Sequence, residues 1–371
     1  MSHNPLEKII EQRLLEGPLT FPEFMNLALY HPHYGYYSGR EQKFGAQGDF
    51  ITAPELSPLF SQCLADQCVE IFQQLQEPKI LEVGAGSGVM AKDLLLHLES
   101  IDQLPDAYLI LEVSGDLRQR QQKLLQQHCP QLMSRIHWLD QLPAIPFNGV
   151  ILGNEILDAM PVHLFALTET GLVEKNLTLN KGKINWTTLP IANKQLAESL
   201  RKLTTQLQPP YTSEFSLAIP SWINTMANLL SKGIILLLDY GFPEKEYYHP
   251  QRNQGTLMCH YQHQAHGDPL LHIGQQDITS HVNFTQVANT AVAAGLNVAG
   301  FTNQGYFLTN LQVAEKAQAI KDEIIRYNQM QQVKQLILPS EMGELFKVIA
   351  LSKNYNDPLR GFAFGDQCHR L

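Results

Sequence analysis

The chain has 371 residues, 44% hydrophobic and 17% charged, the composition of a folded globular protein and not of a disordered or collagen-like one. Thirty-six acidic against 27 basic residues leave a net charge of -9, which repels a phosphate backbone and excludes general nucleic-acid binding. No apolar run reaches the roughly 18 residues of a membrane span.

The opening MSHNPLEKIIEQRL has neither the apolar core of a signal peptide nor the Arg- and Ser-rich character of a transit peptide, so a cytoplasmic protein is expected. Cys63, Cys68, Cys129, Cys259 and Cys368 are scattered and form no CxxC pair. They indicate reduced thiols, with neither a disulfide framework nor a zinc ribbon.

At roughly 150 residues per domain, the length allows two domains or one large one with insertions. Helices are predicted over Pro5–Leu15 and Thr20–Ala28, the second opened by a capping box in which Glu23 follows Thr20. The aromatic stretch His31-Pro-His-Tyr-Gly-Tyr-Tyr37 and the loop Gly45-Ala-Gln-Gly-Asp-Phe50 come next, and another helix follows Pro58.

From Lys79 the pattern changes. Short apolar runs at Ile80–Val83, Tyr108–Leu111, Gly149–Leu152 and Ile234–Leu238 are separated by helix-length segments. Ile136–Leu139, Leu296–Thr302 and Leu345–Leu351 are further strand candidates. Unbroken apolar runs mark parallel strands covered on both faces, so the alternation implies a doubly wound α/β sheet.

Between Leu152 and Ile234 lie roughly 80 residues where a crossover needs about a dozen. Val162–Leu189 reads as β-hairpins turned at Gly171 and at Asn180-Lys-Gly182, and Gln195–Leu207 and Ser221–Leu230 read as helices. This stretch is expected to be an insertion over the carboxyl ends of the strands. Phe242 to Asn283, rich in His, Gln and Gly, is expected to be a second, a long hairpin or lid.

Ile80-Leu-Glu-Val-Gly-Ala-Gly-Ser-Gly88 runs from a strand into a helix, and Gly84, Gly86 and Gly88 let the backbone turn sharply and approach a ligand. The spacing is GxGxG and not the GxGxxG of dinucleotide binders, because Val89 stands where the last glycine would be. Glu82 precedes the loop, and Glu112 ends the next strand, where it can accept both hydroxyls of a ribose. That is the pattern of S-adenosylmethionine (SAM) binding, with a nucleoside and no pyrophosphate to seat. A glycine-rich turn alone can simply pack a helix on a strand; Glu112 in register favours the cofactor.

Val150-Ile-Leu-Gly-Asn-Glu-Ile-Leu-Asp-Ala-Met-Pro161 places Asn154, Glu155 and Asp158 just beyond a buried strand, where open α/β sheets bind ligands. Asn154 can position cofactor or substrate through its amide, and Glu155 and Asp158 can accept from a cationic substrate. Asn154 and Asp158 equally fit caps of a short helical turn. In Gly45–Glu55, Asp49 and Thr52 offer polar contacts, although the residues also suit an ordinary connector. Cys259, His260, His263, His266 and His272 match no zinc spacing, so no metal is expected. There is no GxSxG elbow and hence no serine hydrolase.

Together these segments resemble the MidA-like family of class I SAM-dependent methyltransferases, whose members include the mitochondrial complex I assembly factor that methylates a protein arginine. The resemblance is carried by Tyr34-Gly-Tyr-Tyr37, Gly48-Asp-Phe-Ile-Thr-Ala-Pro-Glu55, Leu81–Gly88, Asn154–Pro161, Leu238-Asp-Tyr-Gly241, Asp277-Ile-Thr-Ser-His-Val-Asn-Phe284 and Met342–Ala350. One departure is Asn283, where the family more often has Asp.

The resemblance implies a Rossmann-like, seven-stranded, mostly parallel sheet with its last strand antiparallel. It also implies SAM as cofactor, and a lid in which Gly48, Asp49 and Thr52 contact cofactor or substrate. The expected organisation is an N-terminal helical extension and lid loop over 1–75, a SAM-binding half over 76–161, a substrate-covering insertion over 162–230, and the second half of the sheet over 231–371, with a hairpin at about 242–283. The absence of a transit peptide points to a bacterial member.

The leading expectation is a protein arginine methyltransferase acting on a protein such as a respiratory-complex subunit. A guanidinium stays protonated and becomes nucleophilic only when its charge is localised or a proton leaves. Carboxylates gripping two of its nitrogens leave electron density on the third. Glu155 and Asp158 are the candidates, with Asp239 in reserve. The alternatives are a SAM-binding assembly chaperone that needs no turnover, and a methyltransferase for a small molecule or another side chain.

Overall fold

A computed structural model describes residues 4–38 and 52–371. Gly48 and Asp49 of the expected lid lie outside them. The chain divides into two compact units. One holds the described residues of Gln42–Ile156 with Trp222–Gly241 and Phe284–Leu371; the other holds those of Met1–Glu41 with Leu157–Ser221 and Phe242–Asn283.

The first of these is built on a sheet whose strands are β1 (Lys79–Val83), β2 (Ala107–Leu111), β3 (Ile136–Leu139), β4 (Phe147–Asn154), β5 (Leu230–Phe242), β6 (Asn297–Asn303) and β7 (Phe346–Lys353). Their order across the sheet is β6-β7-β5-β4-β1-β2-β3. Neighbours from β3 to β5 are parallel, and β7 runs antiparallel to both β5 and β6. Among the described residues, these seven of the sheet's eight strands form the mostly parallel Rossmann-like order expected, the antiparallel one being the last in the chain. Consecutive residues such as Ile80 and Leu81, Val150 and Ile151, and Ile234 and Ile235 are all buried. Both faces are therefore covered, which is why these strands read as unbroken apolar runs. One face packs on Phe60 and Leu64 of the helix Pro58–Phe72 and on Leu94 and Leu98 of Val89–Ser100.

The other unit contains an antiparallel sheet of Leu19–Thr20, Gly171–Asn180, His163–Thr168 and Tyr211–Phe215, with Lys183–Leu189 also paired to Gly171–Asn180. The hairpin turns fall at Gly171 and Lys181-Gly182, where φ is 127°, 51° and 70°. The expected long hairpin of 242–283 is a three-stranded sheet, because Asp277–Thr279 pairs with Met258–Tyr261, which also pairs with Gln264–His266. Cys259 and Ile278 are buried with Phe21 and Phe24 of the helix Phe21–Tyr30. That helix opens with the predicted box, in which the Thr20 amide donates to Glu23 Oε2 at 2.9 Å. The helix expected over Gln195–Leu207 is shorter, Lys194–Leu203, where the Thr204 hydroxyl donates to the Leu200 carbonyl at 2.7 Å and a 3-10 turn follows. Among the described residues, no helix is long and apolar enough to cross a membrane.

Candidate active site

The glycine loop follows β1. Gly84, Gly86 and Gly88 all have left-handed φ, at 68°, 54° and 84°. The Gly84 amide donates to the carbonyl of Leu111 at the end of β2 at 2.9 Å, which fixes the loop beside Glu112. Gly88 is the N-terminal cap of the helix Val89–Ser100, and a Cβ there would meet Gln121 Cγ at 3.2 Å. The left-handed φ favours glycine, and a side chain there would crowd Gln121.

Glu112 stands where β2 ends. Its Oε1 accepts from the Ser114 amide at 3.0 Å and its Oε2 from Gln121 Nε2 at 2.9 Å. Burial raises its pKa, and these hydrogen bonds oppose the rise. Gln121 also donates to the Gly86 carbonyl at 2.9 Å and accepts from the Trp138 indole at 3.0 Å. Glu82 is buried on β1 and accepts from the Tyr108 hydroxyl at 2.7 Å. Burial pushes its pKa up to about 7; the Tyr108 bond pulls it down and the charge of Glu112 adds to the rise.

Thr52 precedes the short helix Ala53–Leu56, and its carbonyl accepts from the Leu56 amide at 3.0 Å. In the same segment Glu55 accepts from the hydroxyl of Ser87 in the glycine loop. The family-like stretch Thr52–Glu55 thus meets the loop through Glu55, a contact the sequence reading did not single out.

Asn154 ends β4. Its Nδ2 donates to Glu155 Oε1 at 3.1 Å, and its Oδ1 is buried without a hydrogen-bond partner among the described residues. Glu155 has φ 51°, an unusual state for a residue with a Cβ, and its amide donates to the Leu238 carbonyl of β5 at 2.8 Å. Strained backbone of this kind concentrates at functional sites. Asp239 on β5 is fully buried, accepts from the Tyr240 amide at 2.9 Å and lies opposite Lys347 of β7 in the ladder.

Asp158 belongs to the other unit, where it is buried and its carbonyl accepts from the Ser280 amide at 3.0 Å. The neighbouring Ala159 carbonyl accepts from the Tyr30 hydroxyl at 3.0 Å. Tyr37 donates to Asp277 Oδ1 at 2.9 Å, and its own hydroxyl pKa is raised by burial first, then by Asp277, Tyr30 and Asp158. The family-like segments around Tyr37 and Asp277–Ser280, which are not general methyltransferase motifs, therefore gather around the Asp158 turn.

A family profile described as S-adenosyl-L-methionine-dependent methyltransferase matches residues 63–302. A Burkholderia thailandensis protein solved with S-adenosyl-homocysteine bound is 39% identical, with a TM-score of 0.94 over 99% of this chain and 96% of that one. The Drosophila melanogaster mitochondrial protein arginine methyltransferase NDUFAF7 homolog is 28% identical across 94% of this chain and 85% of its own. Its human counterpart is 25% identical across 94% and 84%.

S-adenosylmethionine fits the residues present. Three left-handed glycines carry the chain past the end of β1 as backbone alone, and the Glu112 carboxylate can accept from the two hydroxyls of a ribose while repelling a phosphate in their place.

Proposed function

We propose that this chain, which belongs to the S-adenosyl-L-methionine-dependent methyltransferase family, methylates a guanidinium nitrogen of an arginine in a protein. The enzyme's cofactor is S-adenosyl-L-methionine, which supplies an electrophilic methyl group and leaves as a neutral thioether. Among this chain's residues, Glu82, the Gly84–Gly88 backbone, Glu112, Asn154 and the Gly48, Asp49 and Thr52 segment are assigned to the cofactor. Glu155 and Asp158 are assigned to the acceptor, with Asp239 in reserve.

One observation carries the acceptor assignment: Glu155 is held in a left-handed conformation, with Asn154 hydrogen-bonded to its carboxylate. A preset carboxylate can hold the guanidinium by charge-assisted bonds and localise its positive charge away from the attacking nitrogen. The proton lost on methylation can pass to the same carboxylate or to water. The arginine methyltransferase names of the relatives support this acceptor, and the family resemblance makes a respiratory-complex subunit the first partner to try. The five unpaired thiols suit the reducing bacterial cytoplasm in which we place the protein.

Glu155→Gln keeps the shape and removes the charge. Methylation of an arginine protein substrate should fall at least about tenfold, equivalent to about 1.4 kcal/mol in the transition state. Calorimetric affinity for S-adenosyl-homocysteine should be unchanged. Normal methylation would remove Glu155 from the mechanism, and lost cofactor affinity would move it into the cofactor site.

A further inference from the structure

Gln121 sits on the helix Gly115–His128, fully buried, and no motif accounts for it. Both ends of its amide are engaged. The Trp138 indole N–H can only donate, so the oxygen of the Gln121 amide must face it, at 3.0 Å. That orientation turns the NH2 group the other way, and its two donors go to the Gly86 carbonyl and to Glu112 Oε2, each at 2.9 Å. One amide thus ties the middle of the glycine loop to the acid at the end of β2, and a side chain of β3 decides which way the amide points.

We propose that Gln121 is a positioning residue of the cofactor site, holding Glu112 and the glycine loop in the one relative geometry that accepts the ribose of the cofactor. The proposal rests on the reading of Glu112 as the ribose acid. Asparagine is too short to span both partners, and a carboxylate could donate to neither when ionised. Gln121 touches neither reacting atom nor substrate; it acts through Glu112 and Gly86.

The test uses calorimetric binding of S-adenosyl-homocysteine to the full chain, at about pH 6 and about pH 8. Gln121→Glu places a second carboxylate against Glu112. The other ionisable groups nearby are Glu82 on β1, Tyr108 on β2, and Arg118, which pairs with Asp140 and donates to the Trp138 carbonyl. All are present in the unaltered protein as well, so their own titration enters both binding curves and the variant is read as its ratio to the unaltered protein at each pH. Affinity should fall at least about tenfold at the higher pH, the loss of a hydrogen bond to a charged group with repulsion added. The deficit should shrink at the lower pH, where one proton can bridge the two acids; loss of a merely structural contact would weaken binding equally at both.

Trp138→Phe keeps the ring and removes only the N–H, so it serves where Gln121→Glu folds poorly. It should weaken binding, and combined with Gln121→Leu it should add nothing to the loss from Gln121→Leu alone. Wild-type affinity in Gln121→Glu at both pH values, or additive effects of Trp138→Phe and Gln121→Leu, would overturn the proposal while an impaired Glu112→Ala left the ribose assignment standing. Unchanged affinity in Glu112→Ala would overturn both.

Discussion

Glu82 keeps its carboxylate fully buried, with the Tyr108 hydroxyl as hydrogen-bond partner. Its pKa moves from 4.5 in the unfolded chain to about 7 in the folded one, so the folded protein holds this proton more tightly. The stability this provides is complete below about pH 4.5 and is lost as pH rises towards 7, a loss on the order of 3 kcal/mol. Glu82→Gln retains an oxygen for Tyr108 and removes the charge. Calorimetric melting without cofactor should show the variant close to the unaltered protein at about pH 5 and clearly more stable at about pH 8; equal melting at both would contradict the buried acid. The presence of Glu82 was legible in the sequence, but its partner was not. Glu82 lies opposite Ile110, and Tyr108 is two residues back on the same face of β2, a diagonal contact that appears only once the register is known. Gln121 was hidden for another reason. Its helix carries five glutamines, and only the buried stripe Leu117, Gln121, Leu125 sets one of them apart from a solvated face.

At the scale of elements, the sequence marks strand centres better than strand ends. Gly149–Leu152 and Ile234–Leu238 were visible as apolar runs, yet β4 extends over Phe147–Asn154 and β5 over Leu230–Phe242. The added residues include Gly, Asn, Asp and Lys, which the ladder accepts because its hydrogen bonds use only backbone. The hairpins of 163–189 were legible from their turn residues; Leu19–Thr20 was not, because nothing local reveals a strand of two residues that pairs with Thr20 opposite Asn176. Trp186, on Lys183–Leu189, meets Phe21 with ring centroids 5.6 Å apart and carries Lys175 Nζ 4.9 Å above its own ring. Trp186→Ala should therefore cost the unit about 2–4 kcal/mol. Hydrogen exchange should show protection falling across the helix Phe21–Tyr30 while β1, β2 and β4 keep theirs. Equal loss in both places would mean the two units open together.

For the whole molecule, a net charge of -9 sets a field that draws cationic partners. Raising the salt from about 0.1 M to about 1 M shortens the screening length from ~10 Å to ~3 Å. KM for a basic arginine peptide should rise over that range while affinity for S-adenosyl-homocysteine, a zwitterion, changes little; a salt-independent KM would argue against long-range attraction of the acceptor. The order of strands carries a further consequence, for synthesis. β7, the last strand made, lies between β5 and β6. While the chain is still leaving the ribosome, the apolar run Ile234–Leu238 has one open edge and β6 has no neighbour at all. Nascent protein is thus exposed to edge-to-edge association until Phe346–Lys353 emerges. A premature stop anywhere before that strand leaves the gap permanently unfilled, so even a late nonsense codon yields a chain that is a substrate for chaperones and proteases and not a shortened enzyme.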